Sequence, residues 1–326
     1  MDYTYIYGSL TLSKPNHMKR GFLIAAALFT LFSLTGRAQE ANPLEGRWNL
    51  TIDFQGKERP SWLEIRHSGD KTLVGRFVFA TGSARPVSEV KFQGKKFNFA
   101  IPPQWEPGNS DMKFTGELKA DKLEGSMTYT DGKSYSWTAT RAPELTYVEF
   151  PKWGETIALF NGKDLSGWRA DGPKNWNVKN GILTCPGSVS NLVSEQKFNN
   201  FKLHAEFRYP KGSNSGIYLR GRYEVQIIDS KGMEPSDILL GGIYGFLTPN
   251  VMAAKAAGEW QTYDIILIGR RVTVIANGTP IIMDQIIPGM TGGAIDNNEA
   301  TPGPFMIQGD HGAVEFRVFE VTPILE

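Results

Sequence analysis

The chain has 326 residues, with 35 Lys and Arg against 34 Asp and Glu for a formal charge of +1. That length exceeds one ordinary domain. Near-neutrality, with no long basic run, gives no electrostatic reason to expect nucleic acid or an anionic membrane as partner. The single cysteine, Cys185, excludes an intrachain disulfide and a cysteine-built zinc site, and the four histidines (His17, His67, His204, His311) show no HExxH spacing.

At the N-terminus Lys19 and Arg20 precede the apolar run from Phe22 to Leu34, and Gly36-Arg37-Ala38 follows as a small-residue cleavage site before Gln39. Residues 1–38 therefore read as a leader with a signal peptide, its start more natural at Met18 than at Met1. The run is too short to span a bilayer comfortably, and no cysteine follows it for lipid attachment. A periplasmic or secreted protein with no membrane insertion in its mature form is expected.

Residues 42–142 alternate in short stretches: Gly46 to Ile52, Ser61 to Ile65, Thr72 to Phe79, Lys95 to Phe99, Asp111 to Leu118, Lys122 to Tyr129 and Ser134 to Thr140. Short strands at near-regular spacing predict a small antiparallel barrel or sandwich. Its role is open at this stage: binding glycan, covering a site or holding a partner.

Arg141-Ala142-Pro143 closes that domain, and a second runs over 155–326. Phe201 to Tyr209 alternates strictly, Glu259 to Ile268 is a strand, and Arg271 to Ala276, Asn277-Gly278 and Thr279 to Met283 make a hairpin with a strong turn signal. Pro302 to Ile307 and Ala313 to Val321 supply closing strands. No long amphipathic helix is evident, and an all-β chain is expected, with a two-sheet sandwich in this half. Two long loops, Ser230 to Ala257 and Gly289 to Pro304, are natural places for ligand contacts. Within the second loop Asp296-Asn297-Asn298-Glu299 reads as solvated surface rather than as a calcium site.

Between Ser213 and Asp229 lie two short strands around a turn. With an odd connection, Gly221 to Tyr223, Arg220 faces Glu224; Ile217, Leu219, Val225 and Ile227 point to a core, and Tyr218, Arg220, Glu224 and Gln226 share the other side. An arginine, a carboxylate, an amide and a phenol on one face suit a polyhydroxylated ligand. The plain alternative is that Glu224 and Arg220 form a surface salt bridge. His204, Glu206 and Arg208 share a polar strand face that is ordinarily just solvated. Trp168, Trp176 and Trp260 read as core more readily than as sugar platforms, and Asp229 as a turn or capping residue.

Leu159-Phe160-Asn161-Gly162-Lys163-Asp164-Leu165-Ser166-Gly167-Trp168, then Trp176-x-Val178-x-x-Gly181-x-Leu183, the Asn214-Ser215-Gly216 hairpin with Tyr223 to Asp229, Gly258-Glu259-Trp260 and Gln308-Gly309-Asp310-His311-Gly312 together resemble the 3-keto-disaccharide hydrolase family. The resemblance runs from about Glu155 to the end and leaves out the N-terminal β domain. Arg317-Val318 departs from the family's Arg-Asn-Ile-like ending. What the resemblance implies is a concanavalin-like jelly roll that binds sugar on one sheet. Glu224-Val225-Gln226 is similar in placement to the alternating acidic residues of laminarinase-type glucanases, but has an amide at the second position. A retaining glycosidase needs two carboxyl groups about 5 Å apart, which this strand alone does not supply.

A 3-keto substrate removes that need, because the ketone acidifies the C2 proton and the glycosidic oxygen can leave from C1 by β-elimination before water adds. Such chemistry wants a base, a proton donor and enolate stabilisers. Glu224 or His311 is the base; Arg220, Gln226 or Tyr218 polarises the C3 carbonyl; Asp310 orients His311. No metal and no cofactor are expected. The alternatives are a non-catalytic carbohydrate-binding module and a conventional glycoside hydrolase.

Overall fold

The computed structural model describes residues 42–170, 172 and 175–325. The expected leader, residues 1–38 with the start at Met18, lies outside the described residues. Every regular element among the described residues is a β-strand. No helix there is long and apolar enough to cross a membrane.

The first eight strands are β1 (Gly46–Phe54), β2 (Lys57–Ser68), β3 (Thr72–Val78), β4 (Arg85–Gln93), β5 (Lys96–Ile101), β6 (Met112–Lys119), β7 (Lys122–Thr128) and β8 (Ser134–Arg141). Each pairs antiparallel with the next, and β1 pairs with β8, so the choice between barrel and sandwich falls to a closed barrel. Closure leaves no free edge. Phe77, Phe97, Phe99, Phe114 and Trp137 are buried together as the core of this barrel. Gly125 leaves room for them: a Cβ there would lie 2.8 Å from the Trp137 ring. The strand that the alternation does not reveal is β4, where Pro86, Ser88 and Glu89 interrupt the apolar pattern and a bulge shifts its pairing with β3.

The remaining strands form a jelly-roll sandwich. One sheet is ordered β10 (Trp168–Ala170), β13 (Leu192–Phe198), β20 (Gly303–Ile307), β15 (Asn214–Leu219), β16 (Tyr223–Ile228). The other runs β11 (Asn177–Lys179), β12 (Ile182–Cys185), β21 (Val314–Pro323), β14 (Phe201–Arg208), β17 (Gln261–Ile268), β18 (Arg271–Ala276), β19 (Thr279–Ile286), with β9 (Ile157–Ala158) added on β21. Alternating residues of both sheets, such as Ile217, Val225 and Phe305 from the first and Leu203, Phe207 and Ile265 from the second, make one core. Trp168 and Trp176 belong to it, as expected. Trp260 does not: it is half-buried between the guanidinium groups of Arg208 and Arg317, 4.7 and 4.5 Å from its ring centre. Asn277 and Gly278 both have positive φ, as the two-residue turn between β18 and β19 requires.

The β15–β16 hairpin keeps the expected faces but not the expected pairing. Leu219 pairs with Tyr223 and Tyr218 with Glu224, so the odd loop is Arg220-Gly221-Arg222. The register is displaced by one residue pair from the expected opposition of Arg220 and Glu224, and the surface salt bridge between them does not form. Arg220 adopts φ 53° and Gly221 φ 67°, both in the left-handed region. Arg220 thus leaves the alternation of the strand.

The loop after β19 joins the two halves of the molecule. Glu299, expected at the solvated surface, is fully buried. Its carboxylate accepts hydrogen bonds from Arg270 (3.0 and 2.8 Å), from the Tyr223 hydroxyl (2.7 Å) and, across to the barrel, from Asn49 (2.9 Å). Burial opposes its ionisation, but the bonds and charge of Arg270 with those of Tyr223 and Asn49 prevail and hold its carboxyl below the ordinary range. Asp296 pairs with Arg222 at 2.6 Å, and Asn297 donates to the Leu50 carbonyl at 3.1 Å. Trp62 and Val78 of the barrel pack with Met290 and Ala294 of the same loop. Removing Glu299 leaves the Arg270 charge buried and unpaired, which costs about 3 to 5 kcal/mol. Glu299→Ala is therefore expected to lower the urea midpoint sharply at neutral pH, and an unchanged midpoint would contradict the buried tie.

Candidate active site

The face of the five-stranded sheet turned away from the sandwich core forms the floor of a pocket of about 450 Å³. Tyr218 on β15 and Glu224 and Gln226 on β16 project into it because they alternate with the core residues Ile217, Val225 and Ile227. Asp310 and His311 enter from the loop between β20 and β21. Two glycines fit that loop against its neighbours. A Cβ at Gly309 would meet the Ser190 carbonyl at 2.6 Å, and one at Gly312 would come within 2.5 Å of the Asn214 backbone nitrogen. Gly312 N–H donates to the Asn214 carbonyl at 2.7 Å.

Glu224 is almost fully buried, and burial pushes its carboxyl up to about 8, against smaller opposing effects from the Tyr218 hydrogen bond and the His311 charge. The Tyr218 hydroxyl lies 2.9 Å from Glu224 Oε2 and 3.0 Å from the Gly292 carbonyl, and donates its one proton to either. Burial, with the carboxylate beside it, raises the phenol well above its ordinary value, so Tyr218 remains a neutral donor. Thr291 Oγ1 accepts from Glu224 N–H at 3.0 Å, which fastens the long loop over the strand. Gly293 has φ 79°, and a Cβ there would meet the Tyr218 hydroxyl at 2.5 Å, so that loop passes directly over the phenol.

His311 Nδ1 lies 2.7 Å from Asp310 Oδ1, and that bond raises the imidazole above its ordinary value, with the Asp310 and Glu224 charges adding to it and partial burial opposing. The contact that an orienting role of Asp310 would need is thus in place. Arg220, expected on the ligand face, lies elsewhere. Its guanidinium is buried among Asn199 (3.1 Å), Tyr223 (3.1 Å) and the Gly269 carbonyl (2.8 Å), and it does not line the pocket. Its left-handed backbone turns the side chain out of the face that Tyr218 and Glu224 share.

Asn214 and Gln308 also line the pocket; alternation does not mark them as site residues, although both stand in the motifs that carry the family resemblance. The side-chain oxygens of Asn214, Gln226 and Gln308 are buried without a hydrogen-bond partner within the protein. Three unpartnered acceptors at one site are costly unless a ligand supplies donors. Tyr244 and, from the barrel, Thr81, Gly82 and Trp105 complete the walls. Nothing local in the sequence links residues 81, 82 and 105 to Glu224. His204, Glu206 and Arg208 lie on β14 of the other sheet and are paired there with Asp264, Arg317 and Glu315. Asp229 accepts from the Gly212 N–H at 2.9 Å, the capping role expected of it. Gly241 and Gly242 form a tight turn bonded to the Gln226 backbone.

Residues 155–322 match the family model of the 3-keto-alpha-glucoside-1,2-lyase-like domain. The chain belongs to this family. The barrel lies outside the matched residues. Over 140 residues the chain is 29% identical to a 3-keto-disaccharide hydrolase of Bacteroides thetaiotaomicron, an alignment that covers 38% of this chain and 47% of that protein. The chain thus spans about half the length of the curated relative it matches. Two solved structures from Parabacteroides distasonis that carry provisional glycosyl hydrolase names are also similar. One is 28% identical, covering 54% of this chain and 88% of its own with a TM-score of 0.44. The other is 20% identical, covering 52% and 94%, also with a TM-score of 0.44.

The raised carboxyl of Glu224 has a consequence for stability in this family member. A protonated carboxyl is at home in the pocket and an ionised one is not. Its favourable contribution is complete below the unfolded value of 4.5 and is lost as pH rises toward about 8. Glu224→Gln, which does not ionise, is expected to gain on the native protein across that window and to melt a few degrees higher at pH 8.5, with little difference at pH 4.5. Parallel melting curves at all pH values would contradict the assignment.

Proposed function

We propose that this protein cleaves the glycosidic bond of 3-keto sugars by β-elimination followed by hydration, with Glu224 as the base at C2 and His311 as the acid at the leaving oxygen. The observation that carries the proposal is Glu224, a deeply buried carboxyl with no cationic partner bonded to it, pushed up to about 8 in a pocket with three unpartnered amide oxygens. A carboxyl near 8 is a stronger base than an ordinary carboxylate and is matched to a carbon acid activated by a neighbouring ketone. The amide oxygens suit the hydroxyl donors of a sugar.

In the proposed step the Glu224 carboxylate takes the C2 proton and the electron pair passes into the ketone as an enolate. Return of that pair forms the C1–C2 double bond and breaks C1–O, and the leaving oxygen takes a proton from His311. Water then adds at C1 and a proton returns to C2, so the net change is hydrolysis. Enolate stabilisation falls to neutral donors at the pocket wall, the Gln308 amide and the Tyr244 hydroxyl, because Arg220 is engaged elsewhere and the Gln226 amide nitrogen donates to the Ile238 carbonyl at 3.3 Å. The lyase-like family and a relative named as a hydrolase fit a common elimination step with and without the added water. A conventional hydrolase would need a second free carboxyl; Asp310 is in the pocket, but it is bonded to His311. The proposal includes export to the periplasm or medium, supported by the leader pattern from Lys19 to Ala38.

Incubation of the full chain with a 3-keto-glucoside and its unoxidised counterpart is expected to release the aglycone from the keto form alone. Glu224→Gln should lower kcat on the keto form by about 10²- to 10⁴-fold. His311→Gln should cost less when the leaving group is a nitrophenolate, which departs without a proton. Cleavage of both substrates would point to conventional hydrolysis, and saturable sugar binding without cleavage would point to a binding module.

A further inference from the structure

The barrel, which the family model does not match, supplies one wall of the pocket. Trp105, on the loop between β5 and β6, is 70% exposed although its ring lines the site. Its indole, a donor only, is directed at the Tyr244 hydroxyl. An exposed tryptophan on a long loop would ordinarily sample many positions, but the base of this loop is fixed. Arg85 and Glu106 form an ion pair with both side chains nearly buried, 2.9 Å at its shortest. Arg85 also donates to the Pro102 carbonyl at 2.9 Å. Glu106 accepts from the backbone N–H groups of Gln104 (2.7 Å) and Trp105 (3.2 Å). From the other side Gly82 packs so closely that a Cβ there would lie 3.2 Å from the Trp105 ring. The Ala80 carbonyl of the same stretch accepts from Gly293 N–H at 2.9 Å and so ties it to the loop that covers Glu224.

A buried ion pair, a glycine and a cross-domain hydrogen bond therefore hold an exposed indole of the barrel at a pocket whose other aromatic rings, Tyr218, Tyr244 and His311, belong to the jelly roll. The pocket's volume exceeds what a single pyranose fills. The polar floor on the sheet holds Glu224 and His311. Trp105 stands on the barrel wall of the same pocket, and a group on the far side of the cleaved bond has that wall available to it. Aromatic side chains present a large rigid apolar surface, to which the C–H face of a sugar ring is complementary.

Resting on the activity proposed above, we propose that Trp105 is the platform for a ring-bearing leaving group. The barrel then supplies, from outside the residues that the family model matches, a side chain that strengthens the hold on the second ring. Arg85 and Glu106 act through it as positioning residues.

The test compares a 3-keto-glucoside carrying a second glucose with one carrying only a methyl group, each turned over by the native protein, Trp105→Ala and Trp105→Phe. Trp105→Ala should raise KM for the disaccharide about tenfold and leave the methyl glycoside within about twofold, with Trp105→Phe recovering most of the loss. Equal effects on both substrates, or none on either, would overturn the assignment. If the native protein cleaves neither, the activity proposal fails but the platform is still tested by calorimetry with unoxidised cellobiose and methyl glucoside. The native protein should bind the disaccharide more tightly and Trp105→Ala should lose that margin; no margin in the native protein would overturn the platform as well.

Discussion

Much of the pocket is organised around keeping the Glu224 carboxyl out of water on a sheet face that would otherwise be solvated. Strand alternation puts Glu224 there automatically, because Val225 on one side and Tyr223 on the other must face inward. Alternation alone, however, gives an exposed carboxylate with an ordinary affinity for protons. The shift to about 8 comes from cover: the 287–302 loop, pinned by Thr291 to the strand and by Gly292 to the Tyr218 hydroxyl, closes over the side chain. Tyr218 then has a double role, donating to the carboxylate when Glu224 is ionised and to the Gly292 carbonyl when it is not. The site can therefore exchange a proton without leaving a buried donor unpaired.

The cover depends in turn on the barrel. The loop over Glu224 is held from below by Arg222 and Arg270, and from the barrel side by Asn49, Ala80 and Trp62. Glu299 is the point where these constraints meet: its two oxygens serve a guanidinium, a phenol and an amide from three different parts of the chain. Such a network is stable only when every member is satisfied. It couples the integrity of the barrel contact to the environment of the proposed base without any barrel residue touching that carboxyl.

The sequence made the two faces of the hairpin legible because alternation is a local property and burial on one face enforces it. It did not reveal where the turn would begin. Alternation carried on to Arg220 puts it on the ligand face, but the left-handed backbone at that position ends the alternation. Glu299 reads as surface for the opposite reason. Its neighbours in sequence are polar, but its partners Asn49, Tyr223 and Arg270 are 250, 76 and 29 positions away, beyond any local pattern. The grouping of Tyr218, Glu224, Gln226, Asp310 and His311 in one pocket agrees with the motifs quoted from the sequence. The contribution of Trp105 and Gly82 does not appear there, because it arises from how the barrel loops meet the sheet.

Elimination and ordinary hydrolysis differ at one atom, the hydrogen on C2. The most direct test follows a 3-keto-glucoside deuterated at C2 through a single round of cleavage. Proton abstraction by Glu224 predicts slower cleavage of the deuterated substrate and loss of the label to solvent, both absent when the native protein is replaced by Glu224→Gln. Cleavage at an unchanged rate with the deuterium retained at C2 would mean that the bond breaks without a base at that carbon, and would contradict the assigned role of Glu224.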